Sequence, residues 1–250
     1  MLSEHVLSRA LEGAGLSAPV RFEEVTRSTQ ETAARLAEDG APEWTLVAAG
    51  HQTEGRGRLG RTWKDEPGGA LLFSLVLRPS LPPELGGLLS LLAGTAMTEA
   101  CEEVADQHAA CKWPNDILVE GNKVGGILAE SRLAKDRFEF VTLGVGVNLG
   151  APPADLPDAG AVDADDEDLL AAFLRAFAGR YEPGDPDFAR TVVAAYRPRC
   201  VTLGSPVRAR AGSGAVVEGE AVDIDETGAL MVRVAGGVET VRFGEVEHLE

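Results

Sequence analysis

The sequence predicts an α/β protein with a small all-β domain at its C-terminal end. Apolar runs of strand length alternate with amphipathic helical stretches as far as Pro198. Beyond it the chain turns into five or so short strands cut by glycine-rich turns. A length of 250 residues leaves room for one sizeable core and a satellite too small to be stable undocked. The division is expected at residues 1–199 and 200–250.

Taken in order, "RSTQETAARLAEDG" (27–40) predicts a short amphipathic helix, capped by a Ser28–Glu31 capping box and stopped at Gly40. "WTLVAAG" (44–50) is a buried strand that runs into a glycine–arginine loop, and "ALLFSLVLRP" (70–79) is a second strand ended by Pro79. Residues 85–107, rich in Leu and Ala without Pro, predict a long helix lying against a sheet. "CKWPNDILVEGNKVGGILAE" (111–130) predicts a hairpin turning at Gly121-Asn122. "RFEFVTLGVGVNL" (137–149) is a strong strand, and a Pro/Ala/Asp linker (151–168) leads to helices near 166–181 and 186–197. In the C-terminal part the turns are expected at Gly212-Ser213-Gly214, Gly228 and Gly236-Gly237.

Composition narrows the function. The chain carries a net charge of −17, which argues against nucleic acid as a general partner, because phosphate binding needs a basic face. Three scattered cysteines form no metal-binding or disulfide spacing, which points to a reducing compartment. The start has no secretion signal, and no uncharged run reaches the roughly 18–20 residues of a membrane span. A cytoplasmic protein without membrane contact is expected. Against this acidity, residues 51–64 hold Arg56, Arg58, Arg61 and Lys64 beside a lone Glu54, an island suited to holding an anion.

That island contains "GRGRLGR" (55–61), whose Gly55, Gly57 and Gly60 match a dinucleotide-binding fingerprint. A dinucleotide loop must open into a helix. Here Pro67, Gly68 and Gly69 forbid one and a strand follows, so a nicotinamide-dependent dehydrogenase is disfavoured; the motifs of a protein kinase are missing too. The glycines therefore make a flexible loop, and its guanidinium groups are suited to carboxylate or phosphate. Three further features stand out. "KWPND" (112–116) packs a cation, an aromatic, an amide and a carboxylate behind a strand. Lys123 sits beside Gly125 and Gly126, where a bare backbone admits a close ligand. In "TLGVGVN" (142–148), alternation turns Val141, Leu143, Val145 and Val147 to the core. Thr142, Gly144, Gly146 and Asn148 then form a bare shelf on which a flat ligand or a helix could lie.

With "RST" (27–29), "HQTEGRGRLGRTW" (51–63), "KWPND", "KVGGILAE" (123–130), "GVGVN" (144–148) and "FGEVEHL" (243–249) in this order, nearly the whole chain resembles the biotin protein ligases. The resemblance implies a class II synthetase-like mixed sheet flanked by helices, with an SH3-like β-barrel at the C-terminus. It implies activation of biotin by ATP and Mg²⁺ to biotinyl-5′-AMP, and transfer to a lysine of a biotin carboxyl carrier domain. It places Ser28, Thr29, Gln30 and Gln52 on biotin, with backbone around Gly55, Gly57 and Gly126 lining the same pocket. Gln30 departs from the family, which usually carries Asn there. Arg56 and Arg58 would order the loop over the intermediate, and Lys123 would meet the biotin carboxylate and the phosphate. Arg61, Trp63, Lys112, Asn115, Asp116 and Asn148 would serve ATP, with Asp116 the candidate for Mg²⁺. Lys123, Arg58 and Asp116 are the expected catalytic residues.

The alternatives are a lipoate- or octanoate-type acyl-protein ligase, which lacks a run like "GRGRLGR", and a non-enzymatic biotin-sensing module. The roughly 20 residues ahead of the first strand are too few for a DNA-binding domain. Monomer and homodimer both stay open.

Overall fold

The apolar runs of the first two hundred residues pair into one seven-stranded mixed sheet. The computed structural model describes residues 1–152, 156, 159–211, 214–242 and 244–249. In sheet order the strands are β1 (Val20–Glu23), β2 (Leu46–Ala49), β3 (Ala70–Leu77), β7 (Arg137–Asn148), β6 (Asn122–Ala134), β5 (Asp116–Val119) and β4 (Ala109–Lys112). β1 and β2 run parallel, and every other neighbouring pair is antiparallel.

Helices cover both faces. α1 (Glu4–Gly13), α3 (Gly87–Ala105), α4 (Asp166–Ala178) and α5 (Phe188–Tyr196) share the main core with Leu46, Phe73, Leu75, Leu143, Val145 and Val147. α2 (Thr29–Glu38) lies on the opposite face, where Ala33 and Ala37 pack against Val47, Val76 and Phe140. The period-2 alternation of the strands thus splits the sheet into a greasy face and a face reserved for α2 and a cavity. α1 falls in a stretch where the sequence pattern suggested no element. Ser3 caps it, its hydroxyl accepting from the Val6 N–H at 3.3 Å.

Two local expectations change, and a third feature comes from strand pairing alone. The 111–130 hairpin turns at Glu120-Gly121, one residue early, with φ of 49° and 80°, as a two-residue hairpin twist requires. Glu120 accepts the left-handed conformation that Asn122 was expected to supply. The capping box does not form. Ser28 makes no cap bond, Glu31 pairs instead with Arg27 at 3.3 Å, and Gln52 Oε1 takes the Thr29 N–H at 2.8 Å. The third is a bulge at Val124, between the pairs Ile117–Gly125 and Leu118–Lys123. In a regular strand Lys123 and Gly126, three apart, would face opposite sides. The extra residue brings both to the side of Asp116.

The C-terminal strands β8 (Pro206–Ala211), β9 (Val216–Ile224), β10 (Leu230–Val234), β11 (Gly237–Val241) and β12 (Gly244–His248) form an antiparallel sheet in the order β11-β10-β9-β8-β12. Among the described residues its edges β11 and β12 are not paired, so the expected SH3-like domain is an open sheet here. Gly212, Ser213, Phe243 and part of the 151–168 linker lie outside the described residues. The C-terminal part docks on the larger sheet through Trp113, whose backbone N–H donates to Thr202 Oγ1 and whose indole Nε1 donates to the Gly228 carbonyl, both at 3.0 Å.

Gly219 in β9 is packed so tightly that a Cβ there would run into the Arg233 carbonyl, a backbone atom that cannot swing away. Gly219→Ala is expected to destabilise the C-terminal sheet by about 3 kcal/mol, the upper end for overpacking. Urea unfolding followed by limited proteolysis of residues 200–250 measures it.

Candidate active site

The N-terminus of α2, the 52–63 loop, the turn before β5, the bulged start of β6 and the glycine strip of β7 enclose one cavity, which Glu245 and Val246 of β12 close from the C-terminal sheet. At its inner end the side chains hold one another. Thr29 Oγ1 is 3.2 Å from Gln52 Oε1 and 2.9 Å from Ser74 Oγ. The Gln30 amide donates to the carbonyls of Leu128 at 3.0 Å and Thr142 at 3.1 Å. Three polar atoms of the lining are buried without a partner: Ser28 Oγ, Gln30 Oε1 and Trp63 Nε1. A buried orphan of this kind costs about 1–3 kcal/mol, so three around one cavity mark a place shaped for a polar ligand group.

The glycine shelf is covered by side chains and not by a helix backbone. A Cβ on Gly146 would come within 2.8 Å of the Trp63 ring, and one on Gly144 within 2.9 Å of Gln30 Oε1. The flat group lying on β7 is thus the indole of Trp63.

The 55–61 loop is folded, where its glycines suggested a flexible one. Trp63 N–H donates to Gly55 O at 2.9 Å and Gly57 N–H to Arg61 O at 2.8 Å. A Cβ on Gly55 would approach Trp63 O to 2.6 Å, so close approach of the two loop legs requires glycine there. Its arginines are tethered from different directions. Arg56 pairs with Glu130 of β6 at 2.7 Å, and Arg61 pairs with Glu245 of β12. Arg58 donates to Asn115 Oδ1 and to the Gly244 carbonyl, both at 3.1 Å. Those acceptors are neutral, and burial pushes its guanidinium pKa down. Arg58 is therefore a desolvated cation without a hydrogen-bonded carboxylate among the described residues, well placed to meet an anion. Lys123 faces the same cavity, its Nζ 2.6 Å from Asp116 Oδ1.

Not every expected residue reaches this cavity. Gly55 lies behind it, at the loop neck. Lys112 sits at the end of β4, outside the lining. Asn148 donates to the Gly160 carbonyl at 3.0 Å and lines an adjoining groove with Trp63, Lys123 and Leu156. Among the described residues no group of three His, Cys, Asp or Glu side chains is arranged to hold a metal. Ser74, Glu130, Glu245 and Val246 are site residues that the pattern did not single out. Ser74 had a signal, as the one polar residue in "ALLFSLVL". Glu245 lay within the "FGEVEHL" run, but its partner could not be read there, since it acts on a loop far back along the chain.

Comparison with known proteins agrees with this geometry. A profile of the biotin/lipoate A/B protein ligase family matches residues 22–148, and one of the biotin protein ligase C-terminal domain matches residues 202–249. The chain belongs to the biotin protein ligase family. It is 33% identical to the bifunctional ligase/repressor BirA of Bacillus subtilis over 98% of this chain and 79% of that one. It is 36% identical to the biotin–[acetyl-CoA-carboxylase] ligase of Mycobacterium tuberculosis over 86% and 83%. The structure is similar to that of a biotin protein ligase from Aquifex aeolicus in complex with biotin and ATP, at 28% identity and a TM-score of 0.74, covering 92% and 97% of the chains. For this biotin protein ligase family member the lipoate-type alternative falls away, because the matched C-terminal domain is that of the biotin enzymes.

Trp63 depends on a bare Gly146. Gly146→Ala is expected to lift the indole off β7 and shift its emission to the red as Nε1 gains water. The spectrum, after subtraction of that of a Trp63→Phe variant in which only Trp44 and Trp113 emit, reads the change.

Proposed function

We propose that this protein joins biotin to ATP as biotinyl-5′-AMP and then passes biotin to a lysine of a biotin carboxyl carrier domain. The observation that carries the proposal is the cavity whose lining holds the orphaned Ser28 Oγ, Gln30 Oε1 and Trp63 Nε1 together with the cations Arg58 and Lys123. Biotin has the matching polarity. Its ureido group offers a carbonyl to a hydroxyl donor and N–H groups to an amide oxygen, and its valerate ends in a carboxylate.

In the first step a carboxylate oxygen forms a bond to the α-phosphorus of ATP, and pyrophosphate leaves with the electrons of the broken P–O bond. Two anions are being brought together, so preset positive charge is the main requirement. Lys123 would exchange Asp116 for the carboxylate and a phosphate oxygen, and Arg58 would hold the phosphate from the loop side. Gln52 fixes the start of α2, so that Ser28, Thr29 and Gln30 present a rigid ring site, while Gly57 and Gly126 leave room for the chain. Arg56 keeps the loop over the pocket through Glu130. The nucleotide would lie towards the adjoining groove, beside Trp63 and Asn148, with Asn115 and Arg61 on its phosphate side and Lys112 adding charge from β4.

Magnesium bound to ATP would meet Asp116 here and keep phosphate and water as its other ligands, which suits an ion that dehydrates reluctantly. When bound it would neutralise phosphate charge. In the second step the uncharged carrier amine attacks the acyl carbon, AMP departs, and the amine proton leaves by way of Asp116 or water. The net charge of −17 supports carrier protein and small molecules, and not nucleic acid, as partners. No described helix is long and apolar enough to cross a membrane. The three cysteines are free and buried, which supports a reducing, cytoplasmic setting. Labelled biotin appearing on a carrier domain only in the presence of ATP tests the proposal; a carrier that stays unlabelled overturns it.

Two variants test individual roles. Lys123→Ala should slow adenylate formation about a hundredfold, the effect of losing one charge contact of around 3 kcal/mol in a dry site. Lys123 is half exposed, so circular dichroism should show the fold unchanged. Arg58→Gly should still form the adenylate but release it faster, since the loop loses its ties to Asn115 and Gly244. The half-time of labelled adenylate on the enzyme, together with label on bystander albumin, measures the leak.

A further inference from the structure

Thr202 is fully buried and already accepts the Trp113 N–H, so its own hydroxyl hydrogen needs an acceptor. Among the described residues that acceptor is His248 Nε2, 3.3 Å away at the end of β12. A ring nitrogen can take the hydrogen only in a neutral imidazole that carries its own proton on Nδ1. The chain therefore runs in one direction, from Trp113 N–H to Thr202 O–H to His248 Nε2.

The surroundings favour that form. Burial and the ammonium of Lys112 on β4 both push the imidazole pKa below its ordinary value, burial more strongly. The other charged groups nearby are Glu247, next along β12, and Arg208, which follows the facing residue Val207 in β8. They pair with each other at 3.4 Å, and Arg208 also holds Glu218 at 2.6 Å. Neither offers a carboxylate to His248, so among the described residues nothing there compensates an imidazolium beside Lys112.

We propose that His248 is a positioning residue for the activation step, holding the Trp113–Asp116 turn in place through Thr202. The inference rests on the activity proposed above. The turn matters because Asn115 holds Arg58 and Asp116 holds Lys123. A proton on Nε2 makes the acceptor a donor, leaves the Thr202 hydroxyl hydrogen without a partner, and sets a second positive charge beside Lys112. For a histidine whose folded pKa is depressed, the contact is intact above the ordinary imidazole range. It is lost as pH falls from there through the depressed value.

Two readouts test this. In the wild-type protein, the backbone amide resonance of Trp113 should titrate with the same midpoint as the His248 ring. An amide that ignores that titration overturns the proposal, whatever the protein's activity. The second readout is biotin-dependent pyrophosphate exchange, as the ratio of rates at about pH 7.5 and at a pH below the His248 midpoint that the ring resonance gives. That ratio should be about tenfold larger in wild type than in His248→Gln, equivalent to about 1.4 kcal/mol. Gln keeps an acceptor but does not titrate. Thr202→Ser should retain the wild-type ratio and Thr202→Val should lose it. Equal ratios in wild type and His248→Gln overturn the proposal. Absence of any exchange at neutral pH would sink the assigned activity instead, and the Trp113 resonance would still decide the contact.

Discussion

Trp63 covers β7 at Gly146, and Gln30 reaches β7 at Gly144, because those two positions carry no side chain. The cavity follows from this bare strip. With Gln30 inserted, its amide ties α2 to the carbonyls of β6 and β7, and the start of that helix, with Ser28, is brought into the lining. With Trp63 seated, its backbone closes on Gly55, and the loop between them has to rise over the cavity and present its arginines inward. A methyl group at either glycine would contest the same space. The strip therefore positions both the apolar wall and the charged lid.

The second constraint is electrostatic. An acidic chain must keep several cations beside one cavity without letting them drift to its many carboxylates. Arg56 and Arg61 are held by acids at the rim, whereas Arg58 is bonded to neutral oxygens and partly desolvated. Exposed pairs contribute little energy, about 0–1 kcal/mol each, so the rim pairs serve mainly to orient the loop. A half-buried cation whose hydrogen bonds go to neutral oxygens is different: it favours an anion that can reach it. The C-terminal sheet takes part in this through Gly244, Glu245 and the anchoring of Trp113, which makes it a wall of the site and not an appendage.

Much of this was legible in the chain. The glycine–arginine run, the 112–116 segment, Lys123 and the alternating strand 141–148 all announced themselves, because each is a local pattern of charge, turn formers or bare backbone. What failed to show was geometry that depends on a partner. Ser28 and Glu31 have the spacing of a capping box, yet Gln52, arriving from another strand end, caps the helix and leaves Ser28 facing the cavity. The hairpin turn slipped by a residue because Glu120 accepts a left-handed conformation that sequence preference assigns to Gly or Asn. α1 carries an apolar face of Val6, Leu7, Ala10 and Leu11 that finds its partners in α4 and β1.

By itself the sequence determined the order of elements, the face each strand turns to the core, and the set of residue types able to manage an anion, since all three depend on near neighbours along the chain. The tertiary structure decided which of them act together. The bulge at Val124 brings Lys123 to the side of Asp116, which no periodicity could show, because an extra residue in one strand is defined only against its partner. Glu245 meets Arg61, and Thr202 with His248 meets Trp113, across separations so long that the packing of the two sheets alone sets the contact.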